Sequence, residues 1–135
     1  MIELAERLLT EHRTIAVVGL STNPEKAAHS VPAAMRAAGF HVLGVHPSAT
    51  ELLGEPAYRT LAEIPEPIGI VNVFRPAAEA PEIARQAVAI GAKALWLQQG
   101  IVSPEARRIA EEGGLDYVED QCMAVVRALS GARKN

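Results

Sequence analysis

The sequence predicts an α/β fold: a doubly wound, parallel, five-stranded sheet, Rossmann-like, with helices on both faces. Three observations carry that prediction. Short apolar runs recur at 15–18, 40–45, 68–74, 94–97 and 115–118, each of strand rather than helix length, the first of them rich in β-branched residues. Segments with helical apolar spacing lie between them. Strands alternating with helices give parallel neighbours joined by right-handed crossovers, and the expected order, counting these strands along the chain, is 3-2-1-4-5.

Taken in order, Ile2, Leu4, Ala5, Leu8 and Leu9 recur at helical spacing, and this first helix is expected to pack on the sheet as a lid. The first strand ends at Gly19, and residues 20–26 are mostly small, polar or proline, which suits a loop close to a ligand. From Ala27 a second helix carries Val31, Ala34, Met35 and Ala38 on its apolar stripe, tolerates Pro32 in its first turn and stops at Gly39. The second strand stops at His46-Pro47. An excursion with Gly54, Pro56 and Tyr58 has room for a short extra strand, and Leu61 and Ile64 suggest one helical turn before Pro65 and Pro67. After the third strand, residues 77–90 form a helix with Ile83, Ala84, Ala87 and Val88 inward. In the fourth strand, alternation sets Leu95 and Leu97 against Trp96, which is expected to pack in the core. Residues 103–112 form a helix capped by Ser103, with Pro104 at its first position and Glu105 and Glu111 outward. Residues 123–129 form a last short helix, and a frayed tail is expected from Gly131.

Composition narrows the function classes. The chain of 135 residues suits one domain, 1–135, and 49% of it is hydrophobic. Such a chain buries about two-thirds of its unfolded surface without metals or disulfides. With 13 basic and 16 acidic residues, a formal charge of −3 and no cluster of either sign, nucleic acid is not an expected partner. The single cysteine, Cys122, cannot form an intrachain disulfide and fits a reducing compartment. Residues 1–13 lack the apolar centre of a signal peptide, and no run approaches the roughly 18 apolar residues of a membrane span. A cytoplasmic protein without a membrane partner is expected.

The residues that look odd for a core follow the strands: Gly19-Leu20-Ser21, His46-Pro47, Phe74-Arg75-Pro76, Gln98-Gln99-Gly100, and Glu119-Asp120-Gln121-Cys122. In a parallel sheet these carboxyl ends share one rim. Ligands of wound sheets sit outside it where the winding reverses, expected here at strands one and four. A strand, a glycine-led turn and a helix N-terminus make an anion site, because unpaired amides and the positive end of the helix dipole converge. A phosphate is the expected guest. The loop is not a G-x-G-x-x-G fingerprint, since Ser21 and Pro24 stand at the second and third glycine positions. Lys26 and Arg75 can meet phosphates, Arg75 through its planar fork, although Lys26 also reads as a solvated loop lysine.

NAD-binding folds hold the ribose with an acidic residue about twenty positions past the glycine loop. Here Val45 and His46 occupy that region, and the next carboxylate is Glu51. A histidine accepts a phosphorylated ribose that a carboxylate would repel. This disfavours NAD and leaves NADP or coenzyme A, whose ribose carries a 3′-phosphate. Alternatively, His46 only caps its strand.

The strings IAVVGLSTNPEK, GFHVLGVHP, VNVFRP, IGAKALWLQQGI and EDQC, in this order and at these separations, resemble the small bacterial CoA-binding protein family. More distantly they resemble the CoA-binding N-terminal domain of the succinyl-CoA synthetase α subunit. The resemblance covers residues 14–126. It implies coenzyme A or an acyl-CoA as the ligand, with the loop after the first strand cradling the diphosphate. Gly19, Ser21, Thr22, Asn23, Pro24 and Lys26 would then meet phosphates, His46 and Pro47 the adenosine end, and Phe74, Arg75, Pro76, Gln98 and Gly100 would form the remaining wall. Three positions depart from the family pattern: His46 replaces an asparagine, Ala28 a serine and His29 an aromatic residue. A lost serine hydroxyl removes a phosphate contact worth about 1 kcal/mol. In the synthetase the region after the second strand also supplies a lysine, and Ala49 stands in that neighbourhood.

The synthetase's phosphorylated histidine belongs to a second domain outside this resemblance, and the sequence presents no other engine. His12, His29, His41 and His46 lack metal-binding spacing. Ser21 and Ser30 lie near His29, but no G-x-S-x-G elbow surrounds them. Glu111-Glu112 read as a solvated helix surface. Cys122 is the one candidate nucleophile, against a simpler reading as a small buried residue at a strand-to-helix junction. Facing a cleft beside a helix N-terminus, its thiol would be activated for exchange with CoA. The reading is therefore a non-catalytic binding or regulatory module, with no metal, as a homodimer or with a protein partner. The alternatives are an NADP-binding oxidoreductase-type domain acting with a partner, or a CoA-linked thiol protein using Cys122.

Overall fold

The computed structural model describes residues 2–134. Ile2–Glu11 forms α1, Thr14–Val18 β1, Ala27–Ala37 α2 and His41–Val45 β2. Glu51–Leu52 and Glu55–Pro56 make a small antiparallel hairpin, β3 and β4, followed by a 3-10 turn at Leu61–Glu63. β5 is Ile70–Val73, and a second 3-10 turn at Ala77–Glu79 runs into α3, Ala80–Ala89. β6 (Ala94–Leu97), α4 (Pro104–Glu112), β7 (Asp116–Val118) and α5 (Met123–Ser130) complete the order.

The expected five-stranded parallel sheet is present, in the order β2-β1-β5-β6-β7. Counting only its own strands this is 2-1-3-4-5, which corrects the expected 3-2-1-4-5. The third strand cannot add outside β2, because the excursion after β2 closes that edge itself. The Tyr58 amide donates to Gly44 O at 2.9 Å, and the His46 amide donates to Tyr58 O at 2.8 Å. The chain therefore crosses to the open side of β1, where Val18 pairs with Val73. The winding reverses between β1 and β5, and the crevice opens there rather than at the first and fourth strands.

Alternation along β1 sends Ile15 and Val17 to one face, with Leu8, Leu9, Met35 and Met123, and Ala16 to the other, with Ile83, Ala84, Leu95 and Leu97. Ala5, Leu8 and Leu9 are fully buried, so α1 lies on the sheet as its spacing predicts. Each such leucine contributes about 1.5–3 kcal/mol by leaving water. Trp96 is fully buried on the face opposite Leu95 and Leu97, and its indole N–H donates to Gln121 O at 2.9 Å.

Three local expectations are corrected. Pro32 lies in the interior of α2, beyond its first turn, and Ala34 is exposed while Val31, Met35 and Ala38 are buried. The segment after Gly131 is docked rather than frayed. The Lys134 amide donates to Ala38 O at 2.8 Å, its ammonium donates to Thr10 O at 2.7 Å and lies 5.4 Å from the Phe40 ring centre. Gly39 makes this possible: a Cβ there would collide with Lys134 O.

Candidate ligand site at the carboxyl rim

Parallel pairing brings the carboxyl ends of the five strands to one rim. Backbone hydrogen bonds stitch adjacent ends together: Gly19 N to Val45 O at 3.2 Å, Phe74 N to Val18 O at 2.9 Å, and Gln98 N to Val73 O at 3.1 Å. Gly19 has φ +93°, and a Cβ on it would fall 2.8 Å from Phe74 O and 2.9 Å from Arg75 Cδ. Conformation and space both require glycine here.

The loop after Gly19 is tied to α2 by a consequence of Pro32. Proline has no N–H, so the Ala28 carbonyl lacks its helical donor. The Ser21 amide supplies one, at 3.0 Å. His29 completes the clamp, with Nδ1 at 2.7 Å from Ser21 O. A carbonyl only accepts, so Nδ1 carries the proton. Within the loop, Asn23 N donates to Ser21 Oγ and Glu25 N to Asn23 Oδ1, both at 3.0 Å. Lys26 O accepts from the amides of His29 and Ser30 at 2.9 Å. The amides of Ala27 and Ala28 are left without an acceptor among the described residues, as first-turn donors available to an anion.

At the end of β2, His46 Nδ1 accepts from Ser48 N at 3.0 Å and Ala49 N at 2.9 Å, which places the ring proton on Nε2. His46 thus caps its strand, and its ring also borders the crevice. Arg59 holds the same segment from outside: Nη1 donates to His46 O at 3.0 Å and Ala49 O at 2.7 Å, and Nη2 to Ser48 O at 3.1 Å. Sequence reasoning missed Arg59. It lies in an irregular excursion with no periodicity, 13 residues from the histidine it supports.

Two cavities open on the rim. One of about 600 Å³ is bordered by Gly19, His46, Pro47, Arg59, Arg75 and Glu79. The other, about 350 Å³, is bordered by Ala27, Phe74, Arg75, Pro76, Gln98 and Ile101. Among the expected residues, Arg75 alone borders both. Its Nε donates to Glu79 Oε1 at 3.0 Å and its Nη2 to Oε2 at 2.8 Å, a two-pronged pair. This pairing holds the Glu79 carboxyl below the usual carboxylate range and lifts Arg75 above its own. Gln98 is buried, with Oε1 accepting from Met123 N at 3.5 Å. Ser21, Thr22, Asn23, Pro24 and Lys26 form the loop beside the rim and border neither cavity, although their neighbour Ala27 borders the smaller one. Gly100 also borders neither, and its amide donates to Asp120 Oδ1 at 2.7 Å. Cys122 is a half-buried free thiol before α5, packed against the core and outside both cavities.

A larger cavity, about 890 Å³, lies elsewhere, along β7 between α1 and α4. Its polar groups serve the fold: the Tyr117 hydroxyl is 2.7 Å from Glu119 Oε1 and 3.2 Å from Ser103 O, and burial pushes the phenol well above its ordinary range. Chemistry rather than volume therefore makes the rim the candidate site. Among the described residues no three His, Cys, Asp or Glu cluster as metal ligands, and no helix is long and apolar enough to cross a membrane.

Comparison with known proteins decides the family. The sequence profile described as "CoA binding domain" matches residues 13–128. The chain belongs to the CoA binding domain family. Uncharacterized protein YneT of Bacillus subtilis is 38% identical over 125 residues, covering 93% of each chain. A solved protein from Thermus thermophilus is 33% identical with a TM-score of 0.90, covering 96% of this chain and 98% of that one. A distant relative is the ADP-forming acetate–CoA ligase I of Archaeoglobus fulgidus, 23% identical over 124 residues. The match takes in 84% of this CoA binding domain but only 18% of the ligase. The similarity thus extends to one part of a ligase far longer than this chain.

Proposed function

We propose that this CoA binding domain holds coenzyme A or an acyl-CoA across the carboxyl rim, as a binding or regulatory module without chemistry of its own. The observation that carries the reading is the meeting, at one rim, of the Gly19 turn, the open first-turn amides of α2, and Arg75 between two cavities. Two adjoining cavities of about 600 and 350 Å³ suit a long ligand better than a compact one. In this reading the Ser21 hydroxyl, Thr22, Asn23 and Lys26 serve the phosphates, with Pro24 shaping the loop. The Nε2–H of His46 and the ring of Pro47 face the adenosine end. Phe74, Pro76, Gln98 and Gly100 form the remaining wall. A homodimer or protein partner would carry any output of binding.

NADP is the second reading, because the absence of an acidic residue after β2 admits any phosphorylated ribose. Thiol exchange at Cys122 has less support, since that residue borders neither cavity. Thermal unfolding with CoA, acetyl-CoA, NADP and NAD tests the choice. CoA at about a hundred times its dissociation constant is expected to add about 2.7 kcal/mol, with no shift from either dinucleotide. Equal shifts from all of them would remove the assignment.

A further inference from the structure

We propose that the Arg75–Glu79 ion pair is a latch on the rim: Glu79 fills the guanidinium fork that a ligand phosphate needs, and a CoA-type ligand binds by exchanging its anion for that carboxylate. The inference rests on the reading of the rim as a CoA site and adds a residue that sets its affinity.

Four features of the pair support a latch rather than a plain surface contact. Arg75 borders both cavities, so its head stands where a ligand reaching from one to the other must pass. Its stem lies over the Gly19 turn, with Cδ only 2.9 Å from where a Cβ on Gly19 would be, while the side chain as a whole is 46% exposed. The root is confined, and the head is exposed and held by Glu79 alone among the hydrogen bonds of the described residues. The other guanidinium on the larger cavity, Arg59, is occupied by the carbonyls of His46, Ser48 and Ala49. The other carboxylate there, Glu82, is engaged by Arg85 at 2.9 Å and Gln86 at 3.3 Å. On the larger cavity that leaves Arg75 as the guanidinium for an incoming anion and Glu79 as the carboxylate that competes with the anion for it. Both side chains are nearly half exposed, so solvent screens the pair despite its two-pronged geometry, and a phosphate presents two oxygens to the same fork in exchange for the carboxylate.

The test is a calorimetric titration of the full chain with CoA, using wild type, Glu79→Gln, Arg75→Ala and the double variant. Both side chains are on the surface, and circular dichroism verifies that each variant is folded. The latch predicts that Glu79→Gln tightens CoA binding by about threefold to fivefold when Arg75 is present, and by clearly less when Arg75 is alanine. Equal tightening in both backgrounds assigns the effect to simple carboxylate–phosphate repulsion and overturns the latch. Unchanged affinity in Glu79→Gln overturns it as well, while leaving CoA as the ligand. No CoA binding by any of the four proteins overturns the ligand assignment and the latch together.

Discussion

Gly19 is where backbone conformation, strand pairing and the Arg75 stem meet. A side chain there combines a left-handed φ of +93° with contacts under 3 Å to Phe74 O and Arg75 Cδ. Gly19→Ala is expected to cost about 1–3 kcal/mol in chemical denaturation and to weaken CoA binding, because Arg75 must shift. His29→Phe retains a ring but loses the proton that reaches Ser21 O. It is expected to cost about 1 kcal/mol and to speed amide exchange in residues 20–26; an unchanged loop would show that the clamp is not His29. Gly19, His46 and Arg75 were legible in the sequence because each lies within two residues of a strand end, where an unusual residue stands out. Arg59 and Glu79 were not, since one acts across an irregular excursion and the other looks like any acidic residue at a helix start. His29 stood out as a departure from a family pattern and for its nearness to Ser21 in sequence, but its contact with the Ser21 carbonyl needs the fold.

At the scale of elements, Pro32 trades helical regularity for a loop anchor. Pro32→Ala restores an amide that competes with Ser21 N for Ala28 O, so faster exchange of the Ser21 amide is expected while the helix itself stays intact. Retained Ser21 protection would refute that trade. Helices and strands were readable from periodicity because each must bury one face or two. Their neighbours were not: the link from β2 to β5 contains no α-helix, only a hairpin and a 3-10 turn, and hydrophobic spacing says nothing about which side of β1 it reaches. The tail was misread for a related reason. Lys134 gains its partners, Thr10, Ala38 and Phe40, from segments remote in sequence. Removing residues 132–135 is expected to lower the unfolding free energy by about 1–2 kcal/mol in urea titrations, through lost backbone and cation–π contacts.

For the whole molecule, acid is expected to destabilise the fold. His12 follows α1 with its ring against Gly69, where a Cβ would fall 2.8 Å from His12 Cβ. Burial there pushes the imidazole below its ordinary value, against the pull of Glu11 and Asp116. A folded state that prefers the neutral ring gains stability above the ordinary histidine range and loses it as pH falls through the lowered value. Glu79, also held low, adds a loss further down, as pH falls through its own range. Urea unfolding free energy is therefore expected to fall between about pH 7 and pH 5, and His12→Gln to reduce that slope. A slope untouched by the substitution would remove His12 from the account.

The corrected strand order sets how this rim can respond to a guest. Gly19 and Phe74 flank the point where the winding turns back, yet they extend strands that are hydrogen-bonded neighbours, held about 4.8 Å apart along their length. The floor of the crevice is in effect a fixed jaw, and accommodation is expected to fall to the irregular segments above it, residues 20–26 and 75–79. Hydrogen exchange with and without CoA is expected to differ there and at the start of α2, while the five strands keep one unaltered pattern.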